Sequence, residues 1–101
     1  VLLRTFREMQ VIVNTLGGQG ARIYTKNEVL DVPAAKVKVV DPTGAGDAFR
    51  AGFYAGLYHG RGWMDCGALG CAAASFAVSS PGSLTSIPNW DMVEERARSL
   101  L

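Results

Sequence analysis

The stretch at residues 67–78, GALGCAAASFAV, is small and apolar nearly all the way round a helical projection. A helix without a polar face has to be buried on most sides, so the helix expected over residues 65–79 needs other elements to cover it. Residues 47–58 read as a second helix, opened by an acid that suits the positive N-terminal end and broken at RGW, residues 61–63. Two helices of this kind call for a sheet to pack on, and the candidate strands all precede them.

VIVNTLGG, residues 11–18, is a β-branched run closed by two glycines, the pattern of a buried strand. ARIYTK and EVLDVPA read as short strands joined by a turn at Asn27, with Pro33 ending the second. KVKVV, residues 36–40, alternates briefly on the way to Asp41, and residues 3–9 are helix-like in spacing. NWDMVEERARSL closes the chain as an amphipathic helix, with Asn89 as N-cap and Trp90, Val93 and Leu100 as contact residues. Strands early and covering helices late predict an α/β or α+β layer architecture. Three or four short strands make a narrow sheet with exposed edges, which implies a further covering element on one side.

With 101 residues, 49% of them hydrophobic, the chain is long enough for one core. The formal net charge of +1 and the scattered Lys and Arg form no basic stripe, which argues against nucleic acid as a partner. Cys66 and Cys71 fall on different faces of one expected helix, so they read as packed thiols and not as a disulfide. His59 is the only histidine and has no Cys or His at ligand spacing, which leaves it a surface imidazole. No apolar run approaches the ~20 residues of a membrane span, and VLLRTFREMQ lacks the order of a signal peptide. The expectation is a cytoplasmic protein with no membrane partner.

The chemistry concentrates in VVDPTGAGDAF, residues 39–49. Gly44 and Gly46 let the backbone turn tightly and let a ligand approach the main chain, and the helix start beyond them offers amides suited to an anion. A tight strand-to-helix turn would use the same glycines for purely structural reasons. Asp47 tips the balance. A carboxylate repels a bound phosphate, so the two features make sense together if the amides hold a phosphoryl group while Asp47 accepts a proton from a substrate hydroxyl.

DPTGAGDAFRAGF is similar to the C-terminal signature of the ribokinase-like, or PfkB, family of carbohydrate and nucleoside kinases. TLGGQGA, residues 15–21, resembles the family segment that borders the ATP phosphates and ribose, and CAAASFAVSSPGSLTSIP resembles its late helix and adenine loop. The resemblance implies the C-terminal portion of a ribokinase-like, Rossmann-like three-layer fold spanning residues 1–101, with the substrate and lid regions of the longer family members absent. It assigns Asp47 as catalytic base, and Ala45, Gly46 and Asp47 amides as an anion hole shaped by Gly44. Thr15, Gly17, Gly20 and Thr43 become nucleotide-contacting positions. It implies ATP and Mg2+ as cofactors, and K+ as a further cation near Asp41, Thr43, Val78, Gly82 and Ser86. The substrate class is a sugar or a nucleoside. The alternative is a non-catalytic nucleotide-binding module, and a homo-oligomer that covers the sheet edge stays open. An Asn that some members use near adenine aligns with Cys71.

Several other residues invite a reading. Gly52, Gly56 and Gly60 recur every four residues and are expected to pack closely on the sheet. Trp63 and Trp90 read as core or interface residues, and Glu94 with Arg98 as a surface i,i+4 pair. Arg50 faces either substrate or solvent, in a DAFRAG setting closer to the nucleoside-kinase branch.

Overall fold

The computed structural model describes residues 2–4, 10–15, 17–41, 44–79 and 89–101. Four strands, β1 (Leu2–Arg4), β2 (Gln10–Thr15), β3 (Ala21–Tyr24) and β4 (Val29–Val32), precede three helices, α1 (Ala45–Tyr58), α2 (Trp63–Val78) and α3 (Trp90–Ser99). The strands form an antiparallel meander in the order β1-β2-β3-β4.

Alternation decides which side of that sheet is dry. Val11, Val13, Ala21, Ile23 and Val32 are buried, whereas Ile12, Tyr24 and Val29 form a cross-strand row on the opposite, exposed face. The β3-β4 turn lies where Asn27 and Pro33 place it, closed by the Thr25 amide donating to the Glu28 carbonyl at 2.9 Å.

The helix-like residues 3–9 are corrected in part. Leu2–Arg4 is a strand paired with residues 10–12, and residues 5–9 lie outside the described set. A weak helical spacing over a few residues yields to a ladder partner supplied by the neighbouring strand. KVKVV likewise forms no regular strand: Val39 and Val40 are exposed, and the Val40 amide donates to the Val78 carbonyl of α2 at 2.6 Å.

The all-round apolar character of residues 67–78 has its cause in the position of α2, which packs against α1, α3, β3 and β4 at once. Its Cys66, Ala68, Leu69 and Ala72 are buried, and Gly67 lets it settle on Ile23 and Val32 of the sheet. The glycines of α1 were expected to meet the sheet. They meet α2 instead: a Cβ on Gly52 would stand 2.4 Å from the Leu69 carbonyl oxygen, and one on Gly56 2.9 Å from Cys66 Sγ. Gly60 belongs to neither contact, since it ends the helix at φ 72°.

Aromatic rings fill the space that the glycines leave. Phe53 is fully buried and stacks on Phe49 and Trp63, with centroids 6.0 and 6.2 Å away. Trp90 stacks on His59 at 4.6 Å and ties the start of α3 to the end of α1. The Asn89 side chain caps α3 by accepting from the Met92 amide at 2.9 Å, and Val93 and Ala97 are its buried residues. The expected Glu94–Arg98 pair is replaced by a tertiary one, in which Arg61 donates to Glu94 at 2.5 Å.

Candidate active site

The turn before α1 is built on Gly44, whose φ of 81° lies in the left-handed region that favours glycine. The first helical bond of α1 runs from the Ala48 amide to the Gly44 carbonyl at 2.9 Å. The amides of Ala45, Gly46 and Asp47 precede it and so have no acceptor within the helix, at the end where the helix dipole is positive. A Cβ placed on Gly46 would meet no atom within 4 Å, so the backbone there borders open space.

That space is a cleft of ≈ 700 Å³, within the range of small-molecule and cofactor sites. One side is formed by Thr15, Gly18 and Gly20 at the β2-β3 connection, and the floor by Ala45, Gly46 and Phe49 of α1. Cys71, Ala74, Ser75 and Val78 of α2 close the far side, and the irregular segment at residues 34–39 forms the remaining wall. Gly20 has no alternative: its φ is 100°, and a Cβ would lie 1.9 Å from the Val32 carbonyl oxygen.

Asp47 does not line this cleft. Its side chain is 81% exposed on the first turn of α1, where Arg50, one turn further on, donates from Nη2 to Asp47 Oδ1. Arg50 thus faces the carboxylate.

Of the residues singled out by resemblance, Thr15, Gly20, Ala45, Gly46 and Val78 share the cleft, while Gly44 and Asp47 flank its α1 end. Gly17 opens the one-turn 3-10 helix at Gly17–Gln19 beside Thr15. Thr43, Gly82 and Ser86 lie outside the described residues. Asp41 and Val78 are adjacent, because the Asp41 amide donates to the Val78 carbonyl at 3.0 Å. That carbonyl also accepts from Val40, so both of its lone pairs are engaged. Among the described residues, no three His, Cys, Asp or Glu side chains come together as a metal-binding group.

Lys36 and Lys38 line the cleft and were not singled out as site residues. Phe49 and Ser75 were also missed, for no local pattern marks them.

Burial in the helix-packed interior pushes both thiols up from 9.0 to about 11; for Cys66, Asp65 adds to the effect. The folded state therefore holds these protons more tightly than the unfolded chain. The associated stability is present below pH 9 and is lost as the pH rises through about 11. Urea midpoints taken between pH 8 and 11 are expected to fall over that window, and to fall less once Cys66 and Cys71 are both replaced by Ala.

Comparison with known proteins bears on the family and the fold. The profile of the pfkB family of carbohydrate kinases matches residues 2–90. The nucleoside kinase of Methanocaldococcus jannaschii is 44% identical over 89 residues, covering 87% of this chain and 30% of that protein. A crystal structure of a nucleoside kinase from that organism, described as an archaeal member of the ribokinase family, superposes with a TM-score of 0.83 at 43% identity, covering 88% of this chain and 30% of that one. The 1-phosphofructokinase of Haloferax volcanii is 39% identical over 87 residues, covering 86% of this chain and 28% of that protein. The Burkholderia thailandensis nucleoside kinase in complex with ADP-inosine superposes with a TM-score of 0.83 at 31% identity, covering 89% of this chain and 28% of that one. The chain therefore spans less than a third of the length of these relatives, and the described sheet and helices are a portion of a ribokinase-like α/β fold. No helix among the described residues is long and apolar enough to cross a membrane. With most of its length matched, the chain belongs to the pfkB family of carbohydrate kinases.

Proposed function

We propose that these residues form the nucleotide-binding and phosphoryl-transfer part of an ATP-dependent kinase acting on a hydroxyl of a sugar or nucleoside. The observation that carries this reading is the open backbone at Gly46, where the N-terminal amides of α1 border the ≈ 700 Å³ cleft while Asp47 stands outside it. ATP would occupy the cleft with its terminal phosphate at Ala45, Gly46 and Asp47 amides, and the acceptor would approach from the exposed side.

Transfer then needs little covalent chemistry from the protein. The acceptor oxygen bonds to the γ-phosphorus as the bond to the leaving ADP oxygen breaks, and the hydroxyl proton passes to the Asp47 carboxylate. Arg50 engages Oδ1 of that carboxylate, which leaves Oδ2 to receive the proton. The amides offset the charge that grows on the transferred group. Mg2+ bound with ATP would neutralise charge on the nucleotide phosphates, and among the described residues no three His, Cys, Asp or Glu side chains form a group that could hold it. K+ near Asp41 and Val78 would require the Val78 carbonyl to give up one of its two amide partners.

One observation favours the second reading, nucleotide binding without turnover by the 101 residues alone. Among the described residues no wall encloses Asp47, whose side chain is 81% exposed, and a general base works best where water is excluded. Calorimetry with ADP and ATP, alongside an assay of ADP release over sugar and nucleoside acceptors, separates the two. Binding with turnover supports the kinase reading for this chain, binding alone supports the second, and no binding removes both.

A further inference from the structure

Beside the cleft wall at residues 34–37 lies a second, open hollow of ≈ 420 Å³, bordered by Arg96, Ser99 and Leu100 at the end of α3. Its lining contains two cationic residues, Lys36 and Arg96, together with Ser99, whose hydroxyl donates to the Arg96 carbonyl at 2.6 Å, and no Asp or Glu. That composition is unusual in a chain with nearly balanced charge, ten Lys and Arg against nine Asp and Glu. Arg22, Arg50 and Arg61 are each in an ion pair with a carboxylate, whereas among the described residues Lys36 and Arg96 are not, and nor are Lys26, Lys38 and Arg98.

Arg96 is also held in place. Its guanidinium lies 3.7 Å over the ring of Phe76, and Nη1 donates to Ser75 Oγ at 2.9 Å. Stacking fixes the plane of the fork, and one of its five donors is engaged by Ser75, leaving others in that plane for a ligand. Two cationic residues in one lining that includes no Asp or Glu suit a tetrahedral oxyanion.

We propose that this hollow is a binding site for a phosphate group, free or as a small phosphomonoester, held by Arg96 and Lys36. It is separate from the amides of α1, which lie in the other cavity. The two hollows share the wall at residues 34–37, and the Ser75 hydroxyl that Arg96 holds belongs to the first. Occupancy of one therefore bears on the shape of the other.

The test is an amide NMR titration of the 15N-labelled chain with inorganic phosphate and, separately, with glycerol 3-phosphate, each against sodium chloride of matched ionic strength. Saturable shifts are expected at residues 34–37 and 96–100. Lys36→Gln, at an exposed position, should weaken binding about threefold or more, and Arg96→Lys, which keeps the charge but loses the fork, should weaken it further. Tighter binding of the ester would name a phosphomonoester as the ligand, and equal binding would name free phosphate. Shifts confined to residues 44–48, shifts reproduced by chloride, or an affinity unchanged in both variants would overturn the site.

Discussion

Replacing Asp47 with Asn in a kinase that carries these residues is expected to lower kcat by about 10²- to 10⁴-fold, the usual contribution of a positioned general base. The substitution is nearly isosteric. The amide oxygen of Asn can still accept from Arg50, so the first turn of α1 keeps its local contact, and the cleft, which Asp47 does not line, keeps its walls. Nucleotide affinity should therefore stay within a few-fold of the original. Steady-state turnover with ATP and an accepted sugar or nucleoside, paired with calorimetric ADP binding, checks both halves. A kcat that hardly moves would take Asp47 out of the reaction, and an equal loss in nucleotide affinity would place the carboxylate in binding.

Phe53→Ala should cost about 3–5 kcal/mol of folding stability, the range for removing a buried aromatic ring. Phe53 is fully buried between Phe49 and Trp63, and the close α1-α2 approach at Gly52 leaves the backbone little room to collapse into the space left behind. Against a total of ~5–15 kcal/mol for an ordinary domain, that loss is enough to bring the chain near its unfolding midpoint. Urea denaturation followed by tryptophan fluorescence should show a lower midpoint with an unchanged slope. A loss under ~1 kcal/mol would mean that α1 and α2 are held together by other contacts.

Much of the architecture was legible because it is local or periodic. The strand at residues 11–15, the β3-β4 turn and all three helices follow from alternation, turn residues and caps that act within a few positions of one another. The glycine turn was legible for the same reason, since its conformation is set by Gly44 itself. The misreadings came where a partner distant in sequence decides. Leu2–Arg4 is a strand because residues 10–12 pair with it. Glu94 turns to Arg61 and not to Arg98, because tertiary packing of α3 against α2 brings a second cation within reach. Neither competitor can be seen in a window of a few residues.

The amino-acid sequence by itself determined the order of elements from residue 11 onward, the left-handed turn at Gly44, the burial of α2 and the presence of Asp47 beside a run of helix-start amides. Each depends on one residue's stereochemistry or on a short repeat, and so is written locally. Tertiary structure alone decided that the small residues of α1 meet α2 and not the sheet, that Arg50 holds Asp47, and that Lys36 looks onto two cavities. Those outcomes depend on which surfaces exclude water together, and close packing settles that only once every element is in place.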